Sequence, residues 1–166
     1  MRHIFIFLFL ITLISCSHPQ PPKTIEEGKY HEISLSIDGS FTEKLLISIS
    51  YWNPQNPAKI EVITFPKGND KHGRVIAKRN IDKEVFSELY NQAFNMDLKK
   101  IQGKSGARGL DGSTWTLKLI KVNSVLSLSI WGPTYGTKDR GLNDFLNYCK
   151  KLISLSEVQI PENELY

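Results

Sequence analysis

Thr114-Trp115-Thr116-Leu117-Lys118-Leu119-Ile120-Lys121-Val122-Asn123-Ser124-Val125-Leu126-Ser127-Leu128-Ser129-Ile130 alternates apolar and polar residues on both sides of a short break. A period of two marks half-buried strands, whose successive side chains point to opposite faces. A two-residue turn at Asn123-Ser124 sets Val122 opposite Val125, Leu119 opposite Leu128 and Leu117 opposite Ile130. Leu117, Leu119, Leu128 and Ile130 then share one face with Trp115 and Leu126, while Thr116, Lys118, Ser127 and Ser129 share the other. A slip of one residue would turn the apolar set toward water. A hairpin with one apolar face needs a second layer to cover it.

The flanking segments supply more strands and that layer. Upstream, Ile33, Leu35 and Ile37 alternate with Ser34, Ser36 and Asp38, and Asp38-Gly39-Ser40 turns the chain. Leu45, Ile47, Ile49 and Tyr51 form an antiparallel partner that Asn53-Pro54-Gln55-Asn56-Pro57 ends. Strands follow at Ile60 to Phe65 and Arg74 to Arg79. Asp82 is a good N-cap for a helix that ends near Met96, with Val85, Phe86, Leu89, Ala93 and Phe94 on its apolar face. After Gly132-Pro133, a second helix is predicted from Asp139 to Leu155, with Leu142, Phe145, Leu146, Cys149, Leu152 and Ile153 at helical spacing. The fold predicted is α+β: an antiparallel sheet of about six strands in the order ββββ-α-ββ-α, with two amphipathic helices on one face.

The first sixteen residues follow a different rule. Arg2 and His3 precede an apolar run from Ile4 to Ile14, broken only by Thr12, and small Ser15 comes before Cys16. That order is the secretory signal pattern, and the run is shorter than the roughly 20 residues a spanning helix needs. Leu13-Ile14-Ser15-Cys16 resembles the lipobox of bacterial lipoproteins. The resemblance implies cleavage before Cys16, acylation of that cysteine and residence in the cell envelope; Ser17 is compatible with the outer membrane of a Gram-negative host. Several acyl chains on one residue anchor stably where a single chain holds only marginally. Residues 1–15 are thus read as a lipoprotein signal peptide, 16–29 as the lipidated cysteine with a Pro-rich tether, 30–156 as one α+β domain and 157–166 as an acidic, loosely ordered tail.

Net charge is +4, of which Arg2 in the signal supplies one, too mild for the strongly basic face of a nucleic-acid binder. With Cys16 acylated, Cys149 has no partner for a disulfide, and its place on a helical stripe buries it as a small hydrophobe. His18, His31 and His72 lie far from any second ligand at metal spacing, so no metal or cofactor is expected. Gly103-Lys104-Ser105 lacks the glycine five residues before Gly103 that a phosphate-binding loop requires, because position 98 is Leu. Gly-Leu-Asp-Gly-Ser-Thr-Trp-Thr-Leu, with the hairpin ending Trp-Gly-Pro, looks similar to small secreted bacterial proteins of unassigned function, which implies no activity. Two features remain for binding. Lys104 and Arg108 make a basic loop, and Trp131 and Tyr135 flank a Gly-Pro-Thr turn, with Trp131 on the polar face opposite Thr116 or lying as a lid over Ile120 or Tyr148. These residues predict a non-enzymatic envelope binding module, whose partners are membrane lipid and an envelope protein or cell-wall component. The alternatives are a small hydrolase built from carboxylates scattered in sequence, and a structural or assembly accessory.

Overall fold

The computed structural model of the chain describes residues 29–40, 42–53, 55–67, 72–97, 101 and 112–160. Cys16, Lys104 and Arg108 lie outside them. The strands are β1 (His31–Gly39), β2 (Lys44–Tyr51), β3 (Ala58–Phe65) and β4 (Arg74–Ile81), then β5 (Ser113–Lys121) and β6 (Ser124–Trp131). They form one sheet in the order β4-β3-β2-β1-β5-β6, with every neighbouring pair antiparallel. Helix α1 (Lys83–Asn95) follows β4, and helix α2 (Asn143–Ser156) follows β6. This is the predicted α+β order.

Alternation sorts the strands into two faces. Ile33, Leu35 and Ile37 of β1, Ile47 and Ile49 of β2, Ile60 and Val62 of β3 and Leu117 and Leu119 of β5 are buried with Phe86, Leu89, Phe145 and Leu152 of the helices in one core. Trp115 is fully buried, and its indole N–H donates to Ser113 Oγ at 2.8 Å. Tyr148 joins the helices by donating its hydroxyl to the Leu89 carbonyl at 3.0 Å. The other face carries hydroxyls, among them Ser34, Ser48 and Ser50, and the paired Thr116 and Ser129, whose oxygens are 2.9 Å apart.

The hairpin keeps the predicted faces and changes the partners. Leu119 pairs with Leu126, Leu117 with Leu128, Trp115 with Ile130, and Trp131 stands opposite Thr114 rather than Thr116. The turn is Val122-Asn123. β1 extends β5 as far as the pair His31–Lys121, and the Val122 N–H then donates to the Tyr30 carbonyl at 3.0 Å, which pulls the hairpin tip onto the start of β1. A slip of two residues preserves both faces, so periodicity alone cannot distinguish the registers.

Three other expectations change. Helix α2 starts at Asn143, not Asp139, because Gly136 and Gly141 are left-handed (φ 56° and 61°) and residues 133–141 run through turns instead. On α1, Tyr90 is buried while Phe94 is exposed, and Asp82 sits at the N-cap without a side-chain bond. The chain beyond α2 is also held as far as Ile160. Arg79 donates to the Leu155 carbonyl and the Glu157 carboxylate, satisfying the C-terminal end of α2, and Val158 and Ile160 pack on the core.

Candidate functional site

Trp131 and Tyr135, the two predicted binding residues that are described, sit around a structural knot. Arg140 folds back and donates to the carbonyls of Gly132 (2.6 Å), Tyr135 (3.0 Å) and Trp131 (2.9 Å). Desolvation lowers the pKa of this guanidinium. Thr137 donates to the Pro133 carbonyl at 2.9 Å, which tightens the same loop. The Trp131 ring lies along Gly112, where a Cβ would come within 3.0 Å of it; φ is 144° at that glycine. Trp131 is therefore half-buried as a lid over the Gly112 backbone. Tyr148, the other candidate neighbour, is in the core, and Ile120 lies at the far end of β5 opposite Val125. Tyr135 alone is well exposed, at 72%.

A cavity of about 550 Å³ lies at the opposite end of the sheet, on its hydroxyl-bearing face, and Tyr30, Ser50, Trp52, Asn53, Asn56 and Lys59 line it. Strand register builds this site. Ser50 faces Glu32 on one side and Lys59 on the other, and Tyr30 and Trp52 continue the same two strands one residue past the pair His31–Tyr51. By alternation, both rings fall on the face of Ser48 and Ser50, away from the core. Trp52 is 71% exposed and Tyr30 39%. The loop beyond Trp52 is a formed turn: Asn53 Oδ1 accepts the Gln55 N–H, and the Asn53 carbonyl accepts the Asn56 N–H, each at 3.0 Å.

Tyr30 is held in place. Its hydroxyl donates to one Glu32 oxygen, and Ser48 donates to the other at 3.0 Å. Burial first, then the bond to Glu32 and the charges of Glu32 and Glu61, push the phenol pKa well above its ordinary 10.0. Tyr30 therefore stays protonated and keeps its donor on Glu32. Glu61 in turn pairs with Lys78 at 2.5 Å.

The arrangement offers two exposed aromatic rings, two side-chain amides, a hydroxyl and, among the described lining residues, a single charge on Lys59. Apolar ring faces beside a few directional polar groups fit a ligand that is itself apolar on one face and rich in hydroxyls at its rim. A pyranose sugar has that form, and the Lys59 ammonium suits one bearing a carboxylate. In the sequence Trp52 falls between a strand and a proline-rich break. The available signal was its parity: a tryptophan one residue past core-facing Tyr51 must point with the serines.

Among the described residues, no group of three or more His, Cys, Asp or Glu could hold a metal ion, and no helix is long and apolar enough to cross a membrane. No protein-family model matches the chain, and no curated protein matches it.

Proposed function

We propose that the protein is a lipid-anchored, non-enzymatic module of the bacterial cell envelope that holds a cell-wall saccharide in the Tyr30–Trp52 cavity. The observation that carries this reading is the strongly exposed Trp52 ring beside a Tyr30 ring clamped by Glu32, above amides and a hydroxyl. Exposing a large aromatic to water forgoes its burial energy, and such rings dominate binding where they meet a partner. The lipobox-like Leu13-Ile14-Ser15-Cys16 supports anchoring through acylated Cys16, and Ser17 supports the outer membrane in a Gram-negative host. Attachment upstream of Lys29 keeps the cavity, which opens beside Tyr30, close to the bilayer. Hydrolysis draws less support, because the described lining residues include no carboxylate. Lys104 and Arg108 add attraction for an anionic envelope component, which their replacement by Ala tests separately.

The test uses the full acylated chain in phospholipid vesicles, titrated with soluble cell-wall glycan fragments that carry carboxylates. Titration calorimetry reports binding, and Trp52→Ala weakens it by about tenfold or more, the effect of losing a central aromatic anchor. Trp52→Phe recovers part of the loss. No response to glycan, together with quenching of Trp52 by brominated lipid, would replace the saccharide by the membrane surface. A stable protein complex without either response would favour the accessory reading. Cys16→Ala, finally, abolishes incorporation of labelled fatty acid into the protein.

A further inference from the structure

The two edges of the sheet are built differently. β4 carries Arg74, Lys78 and Arg79, and its ladder with β3 is interrupted between Val62 and Ile63. Charge and irregularity of this kind keep another strand from adding to an edge. β6, the other edge, reads Ser-Val-Leu-Ser-Leu-Ser-Ile-Trp over its eight residues, with no charge, proline or glycine. Among the described strands it pairs with β5 alone. Val125 is 64% exposed and Leu126 43%.

The ladder tells which backbone groups of β6 face outward. The Gly132 N–H donates to the Ser113 carbonyl at 2.8 Å. In an antiparallel pair, every second residue turns its peptide groups to the partner strand. Ile130, Leu128 and Leu126 therefore face β5, and Val125, Ser127, Ser129 and Trp131 present N–H and C=O groups at the edge. The bond from Arg140 to the Trp131 carbonyl, at 2.9 Å, agrees with that alternation and occupies one end of the edge. Val125, Ser127 and Ser129 remain.

We propose that a second copy of this chain adds at this edge, β6 against β6 antiparallel, about a two-fold axis through Ser127, making one continuous sheet. Ser127 then faces the second copy's Ser127, and Val125 faces its Ser129, each in a hydrogen-bonded pair. A two-fold axis through Leu128 would instead require the Trp131 edge that Arg140 occupies. An odd slip would set core face against hydroxyl face. In the register through Ser127, half-exposed Leu126 meets the second copy's Leu128 and no charge approaches another. The contact is isologous and closes as a dimer. The two anchors leave opposite ends of the joined sheet. An eight-residue strand spans about 27 Å, and a tether of about 13 residues reaches about 40 Å when extended, so both anchors can enter one bilayer.

The test takes the full acylated chain in detergent, with light scattering corrected for the micelle, beside a cross-linking series. The two-fold contact would bring Ser127 Cα atoms to about 5.5 Å, within disulfide range. Cys149 is buried, so it does not compete for oxidant. The expected result is a dimer mass for the wild type, a covalent dimer from S127C, none from S129C alone, and one from V125C/S129C. V125K, which changes a mostly exposed side chain, halves the mass and leaves the circular dichroism unchanged. A wild type of monomer mass with S127C unlinked would overturn the proposal, as would a dimer that V125K leaves intact and S127C fails to link.

Discussion

Single side chains matter most here where a polar atom is buried with one partner. Trp115 fills the core between strand and helix, and its one donor reaches Ser113 Oγ, itself buried. Ser113→Ala leaves that N–H unpaired away from water, at a cost of about 1–3 kcal/mol. A urea titration should show a lower midpoint with unchanged slope, and Ser113→Ala should cost less in a Trp115→Phe background, where no indole N–H is left to orphan. An equal cost in both backgrounds would mean that Ser113 acts through packing alone. Sequence reading assigned this region a structural role and put Trp115 on the apolar face; the pairing with Ser113, two residues upstream on the same face, follows from strand alternation.

At the scale of elements, the β5–β6 hairpin shows a register chosen by its neighbours. Its turn places Val122, a β-branched residue, at φ 50°. Left-handed backbone costs an L-residue roughly 1–2 kcal/mol, and hairpin turns with positive φ at the first central residue favour glycine there. The strain persists because the Val122 N–H binds Tyr30 at the start of β1. Val122→Gly keeps that donor and removes the strain, against roughly 0.5–1 kcal/mol of glycine entropy. The midpoint of thermal unfolding should rise by about 2–4 °C. A fall would mean that the half-exposed valine side chain contributes more than its backbone costs. The difference between the turns at Asn123-Ser124 and Val122-Asn123 was invisible to a two-residue period, which is why the faces were legible and the partners were not.

For the whole molecule, burial couples stability to alkaline pH. Burial pushes the Cys149 thiol up from its ordinary 9.0, and burial followed by the nearby Cys149 pushes the Tyr148 phenol up from its ordinary 10.0. Both groups hold their protons more tightly folded than unfolded. Their contribution is therefore intact below the unfolded pKa and drains as pH rises toward the folded value. Urea midpoints should be level from about pH 7 to 8.5 and fall above about 9, each group adding a slope of about 1.4 kcal/mol per pH unit. Cys149→Ala should delay the fall to about pH 10, where the tyrosines take over. An unchanged onset in that variant would assign the alkaline loss to other groups.

From sequence alone the chain yields its element order, the apolar faces of β1, β2, β5 and β6, the burial of Cys149 and the lipobox-like start. These follow from local rules: side-chain period, capping and turn chemistry, and the charge-then-apolar order of a signal. Which strands neighbour one another, where α2 begins and which aromatic residues face water required the tertiary structure. Strand order joins residues far apart in sequence. The start of α2 depends on Arg140 reaching back to Trp131 and Gly132. The exposure of Trp52 beside Tyr30 depends on β1 and β2 ending together, with both residues on the sheet face opposite the core. Local pattern assigns a residue to a face, and packing alone decides whether anything covers that face.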